Sequence, residues 1–197
     1  MNNKERIERL LANVNTMREH SQDMQMWKNI PLAKESVQLV KDIDDPEETP
    51  MGKALACEAI IEQLPEYDVP RLVLSILNYK LQLVKASEEQ APERYPTEEE
   101  VASDIKRLSD YIDTEHISAE AFREKYGRHL KADPIERTPE WEENYYEAEK
   151  EADRRLKDIP RGMGFCHAYW PTLRAVLAER GIEWHSPSEL NPRVMFD

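Results

Sequence analysis

The stretch from Asp68 to Ala86 limits the fold more than any other part of the chain. Leu72, Val73, Leu74, Ile76, Leu77, Leu81, Leu83 and Val84 crowd into it with few polar breaks. A strand of this length would be exceptional, and period-two alternation is missing, so the segment reads as a helix. Apolar residues round most of its circumference mark a helix covered by others. We therefore expect one all-α globular domain over residues 1–197, with about eight helices packed round a central apolar helix at about 69–86.

The neighbouring segments carry the faces that could cover it. Ile7, Leu10, Leu11, Val14 and Met17 recur at three- and four-residue steps, which predicts a first helix over about 4–20. Pro31 has the fixed φ of a first helical position and opens a second helix holding Leu32, Val37, Val40 and Ile43, ended by Asp44, Asp45 and Pro46. Thr49 and Pro50 read as N-cap and first residue of a third, with Leu55, Ile60, Ile61 and Leu64, stopped by Pro65. Beyond a polar connection at 86–97, Thr97 and Glu100 form a capping-box pattern ahead of Val101, Ile105, Leu108 and Ile112. Ser118 caps a helix containing Phe122 and Tyr126, with Leu130 continuing its side. Thr138 and Pro139 open another, with Trp141, Tyr145, Ala148, Ala152 and Leu156 inward. The last long helix spans about Pro171 to Arg180, and Gly181 with Ile182 ends it in a Schellman turn on Leu177.

Composition excludes several classes. Lys and Arg number 27 against 40 Asp and Glu, a formal charge of -13, and the excess acid lies in the middle of the chain. Such a field repels phosphate backbones and anionic lipid, so direct nucleic-acid or membrane binding is not expected. The longest apolar run is far short of the ~20 residues that a membrane span needs. The charged start shows no secretory signal, so the two cysteines, Cys57 and Cys166, read as reduced thiols of a cytoplasmic protein.

Residues 161–197 differ from the rest. They hold equal numbers of acids and bases, three of the five glycines and two of the four tryptophans. We expect a mostly irregular, aromatic-rich segment docked on the helical body, with Ser186, Pro187 and Glu189 forming one capped turn and apolar Val194, Met195 and Phe196 docking the end on its own body rather than on a partner. Its candidate binding residues are Arg161, Phe165, Cys166, His167, Tyr169, Trp170, Trp184 and His185. Glycines allow close backbone approach, Arg161 offers a bidentate anion contact, and the aromatics supply walls.

Cys166 beside His167 does not make a catalytic pair, because adjacent helical residues point about 100° apart and adjacent strand residues to opposite faces. A base would have to come from elsewhere, with His185, His129, His116 and His20 the choices. Cys57, between small apolar neighbours, belongs to the core. Cys166, His167, Glu183 and His185 concentrate donor atoms but lack the spacing of a zinc site. The acidic runs Asp44 to Glu48 and Glu98 to Glu100 lack an EF-hand pattern. No metal or other cofactor is expected.

These readings lead to a non-catalytic module that binds another protein, using the aromatic C-terminal third. Two alternatives belong to other classes. One is a small-molecule enzyme with Arg161, Cys166, His167 and His185 around a pocket; the other is an acidic inhibitor that mimics DNA.

Overall fold

The computed structural model describes residues 1–44, 49–88 and 96–196, and among these it holds nine α-helices and no strand. The expected acidic turn at Asp45 and Pro46, the run Glu47 and Glu48, and most of the 86–97 connection lie outside the described residues. The chain divides into two compact units, Met1–Ser109 and Asp110–Asp197, with the boundary inside the fifth helix. Each unit buries a core of its own.

The first unit holds α1 (Asn3–Gln22), a 3-10 turn (Met26–Lys28), α2 (Asn29–Asp42), α3 (Pro50–Ile61), α4 (Pro70–Glu88) and most of α5 (Glu98–Ile112). The helices pack in chain order, α1 on α2, α2 on α3 and α3 on α4. Asn2 caps α1 in a full capping box with Glu5, Thr49 caps α3 through the Gly52 N–H at 3.0 Å, and Thr97 and Glu100 cap each other as expected.

Three details differ from the sequence reading. α2 begins at Asn29, two residues before Pro31, which is still within the first turn where an N–H has no intrahelical partner. On α1, Leu11 is exposed, and Asn13 takes a buried place beside Leu10, Val14 and Met17. Asn13 is accommodated because its amide donates to Ser36 Oγ at 3.3 Å and Glu35 Oε2 at 3.1 Å on α2. Leu55 on α3 is also exposed.

α4 buries Val73, Ile76, Leu77, Lys80, Val84 and Ser87 along one side. Leu72, Leu81 and Leu83 are half-buried on its flanks, and Ser75, Asn78, Gln82 and Lys85 form a solvent strip. Spacing of three and four residues accounts for both stripes.

The second unit contains α6 (Ala119–Lys125), a 3-10 turn (Pro134–Arg137), α7 (Pro139–Arg155), α8 (Cys166–Glu179) and α9 (Pro187–Leu190). Ser118 caps α6 and Thr138 caps α7, as the sequence requires. Trp141, Tyr145, Ala148, Ala152 and Leu156 all face inward, and α7 packs on α8. α6 ends at Lys125, so Leu130 falls on the following segment and is exposed.

α8 starts five residues before the expected Pro171, which therefore sits inside the helix. Pro171 lies just past the first turn, so its missing N–H removes a single helical bond, the one to the His167 carbonyl. The described part of this segment, 161–196, is consequently more helical than expected. Gly181 takes φ 82°, and Ile182 N–H reaches the Leu177 carbonyl at 3.0 Å, the Schellman ending read from sequence. An added Cβ at Gly181 would meet open space, so only the backbone conformation opposes it. Gly181→Ala is expected to cost about 1–2 kcal/mol in a thermal or urea melt, the penalty of a left-handed L-residue. An unchanged melting point would contradict this.

Candidate functional site

The eight residues singled out from sequence gather in three places within the second unit. Arg161, Phe165 and Tyr169 belong to a polar-aromatic cluster between the α7 face and the start of α8. The Arg161 guanidinium pairs with Asp153 at 2.5 Å and lies 4.8 Å from the centre of the Phe165 ring. Phe165 in turn stacks on Tyr169 at 5.8 Å, one turn along α8. The Tyr169 hydroxyl donates to the carboxyl of Glu149 on α7.

Glu149 is the residue that the sequence reading missed. It is 3 % exposed, on the same face of α7 as Tyr145, Ala148 and Ala152. Burial pushes its pKa from the ordinary 4.5 up to about 7, against the pull of the Tyr169 hydroxyl and the Arg161 charge. A carboxyl so placed has no contact with bulk water, and its partners hold it as a core junction between α7 and α8. The signal was available in principle, since position 149 lies between inward Ala148 and Ala152, but a glutamate in an acidic helix reads as solvated.

The consequence for stability has a definite sign. Below pH 4.5 the group is neutral in folded and unfolded chains alike; between there and about 7 the unfolded chain ionises first, so folding loses stability as pH rises. Glu149→Gln removes this loss while keeping an acceptor for Tyr169. The variant is expected to gain on the wild type from pH 5 to pH 8, by roughly 2–3 kcal/mol at about 1.4 kcal/mol per pH unit. Paired urea titrations at the two pH values measure the gap; a gap independent of pH would contradict the assignment.

Cys166, His167 and Trp170 lie at a second place, the wall of a groove of about 490 Å³ that Arg174, Ser186 and Glu189 also line. The Cys166 thiol is 3.8 Å from the carbonyl of Phe196, and the Phe196 ring meets Trp170 edge-on at 5.1 Å. Phe196 is therefore docked on α8, whereas Val194 and Met195, expected to dock with it, are exposed. His167 is exposed. Glu189 accepts the Ser186 N–H at 2.8 Å and the Ser186 hydroxyl in the capping box of α9, and these bonds, with a smaller pull from its partner Arg174, hold its carboxylate below the usual range.

Trp184 and His185 form the third place. Trp184 is buried against Trp141 at 5.8 Å and donates its indole N–H to Glu136 at 2.8 Å. His185 turns to Asp133, whose Oδ2 is 2.9 Å from the His185 Nδ1 and accepts its backbone N–H at 2.8 Å. Thus Cys166 faces a carbonyl, His167 faces solvent and His185 faces Asp133. The thiol has no imidazole held against it, and Arg161 is committed to Asp153 and Phe165. Cys57 is fully buried, with its pKa pushed up to about 11 by burial, as its core placement implied.

Among the described residues no group of three His, Cys, Asp or Glu side chains is arranged to hold a metal ion, and no helix is long and apolar enough to cross a membrane. What the 161–196 segment does present is apolar surface. Met163 is 94 % exposed and Met195 88 % exposed, and both lie within three residues of the Cys166–Phe196 contact. No protein family, curated protein or solved structure matches this chain.

Proposed function

We propose that the chain is a non-catalytic module that binds another protein through the surface made by residues 161–196. The observation that carries this reading is the pair of almost fully exposed methionines, Met163 and Met195, beside the docked Trp170–Phe196 pair. Methionine is flexible and polarizable, and it adapts to apolar partner faces. Half-exposed Val194 extends the same patch. A charge-balanced segment in a chain of net charge -13 also relieves a partner of electrostatic repulsion at the point of contact.

Site-specific photo-crosslinking tests the proposal. A photoreactive residue placed at position 163 or 195 is expected to capture the same discrete protein in cells, while one placed at exposed Glu147 on α7 captures none. The double variant Met163→Asp with Met195→Asp is expected to weaken that capture about tenfold or more, the loss that follows from burying charge in an apolar contact. Equal capture from all three positions, or none from 163 and 195, would reject the reading.

A further inference from the structure

The second unit contains a cavity of about 250 Å³ whose lining inverts the character of the chain. Four cations, Arg123, Arg128, Lys131 and Arg137, line it together with one carboxylate, Glu120. The whole chain has 27 bases against 40 acids.

Local structure brings these cations together. Just past the end of α6 and its cap Tyr126, Gly127 takes φ 65° and reverses the chain so that the Arg128 N–H bonds to the Arg123 carbonyl at 2.9 Å. The two arginines are thereby set side by side. Lys131 is fixed through its backbone, whose N–H and carbonyl both bond to the Asn191 side-chain amide at 2.9 Å. Arg137 ends the 3-10 turn and is 3 % exposed. Its guanidinium donates to the carbonyls of Tyr111 at 2.6 Å, Asp110 at 3.2 Å and Asp113 at 3.4 Å, at the end of α5. It also lies 5.6 Å and 5.8 Å from the centres of the Tyr111 and Phe122 rings.

Two nearby acids are engaged by groups outside the lining, and the one inside it stands against Arg123. Asp110 accepts from Lys125 and from the Tyr126 hydroxyl, each at 2.6 Å, and Asp113 is 2.8 Å from His116 Nδ1. Glu120 stands 3.7 Å from Arg123 and is largely exposed. Burial disfavours the charge on Arg137 and draws its pKa down, so an anion in the cavity gains from a cation already removed from water.

We propose that this cavity binds a small organic phosphate monoester whose body is flat and apolar. A dianion matches the excess of cations better than a single carboxylate does, and guanidinium groups present the fork that phosphate oxygens accept. Tyr111 and Phe122 supply the apolar wall, and the volume has room for one ring and one phosphate. The site shares only Leu190 and the Asn191 amide with the 161–196 segment and none of Met163, Trp170, Met195 and Phe196, so either proposal can fail alone.

Phenyl phosphate is the probe. Calorimetric titration of the full chain at low salt is expected to show saturable one-to-one binding that weakens as salt is added. Inorganic phosphate and phenol, each offering half of the recognition, are expected to bind about tenfold more weakly or not at all. Arg128→Gln and Lys131→Gln change side chains that are not part of the core, and each is expected to weaken phenyl phosphate about tenfold with an unchanged dichroism spectrum. Lys150→Gln on α7 leaves it unchanged. Absence of saturable binding, indifference to Arg128→Gln, or equal affinity for inorganic phosphate would each overturn the proposal.

Discussion

Glu58→Ala is expected to destabilise the first unit by about 3–5 kcal/mol, whereas Lys80→Met costs far less. Lys80 lies on α4 in the apolar row of Val73, Ile76, Leu77 and Val84, with its side chain only 3 % exposed. Its ammonium pairs with Glu58 on α3, whose side chain is 29 % exposed. Removing the carboxylate strands a cation in the α3–α4 seam, where hydration cannot reach it. Removing the cation instead leaves a carboxylate that water can still solvate, and methionine fills the space of the lysine stem. Urea midpoints of the two single variants and their combination provide the test. Equal losses from the two single changes would show that the pair is not buried as described.

Asn29→Ala is expected to cost about 3–4 kcal/mol, because several backbone and side-chain groups lose a buried partner together. Asn29 is fully buried at the start of α2. Its amide donates to the carbonyls of Met17 at 2.9 Å and Gln63 at 2.8 Å, and approaches Ser21 Oγ at 3.3 Å. Its carbonyl oxygen is 2.9 Å from His20 Nδ1. One side chain thus joins the end of α1, the start of α2 and the turn after α3. Alanine supplies none of these bonds and leaves a space too small to hydrate well. Asn29→Asp replaces the donor with acceptors and is expected to be at least as harmful. Chemical denaturation compared with Gln38→Ala, at an exposed side chain that donates to Asp42 on its own helix, separates this junction from an ordinary exposed amide. A loss below about 1 kcal/mol would contradict the account.

The helices were legible where two signals agreed. Thr49 with Pro50, Thr97 with Glu100, Ser118, Thr138 and Ser186 all cap the helices they were expected to cap, because a cap needs only a side-chain oxygen three residues from a vacant N–H. The apolar period likewise identified the inward face of α7. Legibility failed where proline was taken as a boundary, since Pro31 and Pro171 both lie inside helices that tertiary packing extends across them. It also failed for buried polar residues. Asn13, Asn29, Lys80, Arg137 and Glu149 occupy core positions because partners on other segments satisfy them, and a single sequence does not display such partners.

The candidate site divided in the same way. Val194, Met195 and Phe196 were expected to dock the end on the body; Phe196 does so, edge-on to Trp170, while Val194 and Met195 stay exposed. Cys166, His167 and His185 are near in sequence terms but turn to different neighbours, because α8 begins at Cys166 and His185 follows the turn at Gly181. The cationic cavity left no contiguous signal at all. Its four bases are scattered over residues 123–137 among acids, and the reversal at Gly127, the Asn191 amide and the carbonyls at the end of α5 gather them.

The different burial of the two thiols offers a ready handle. Cys57 is sealed and resists ionisation, while Cys166 is half-buried under the Phe196 carbonyl. A maleimide dye added to native protein should therefore attach at a single position without any cysteine being engineered away. Its rate of attachment would report how often the chain end lifts from α8, turning a terminal fluctuation into a kinetic signal that a bound partner should slow.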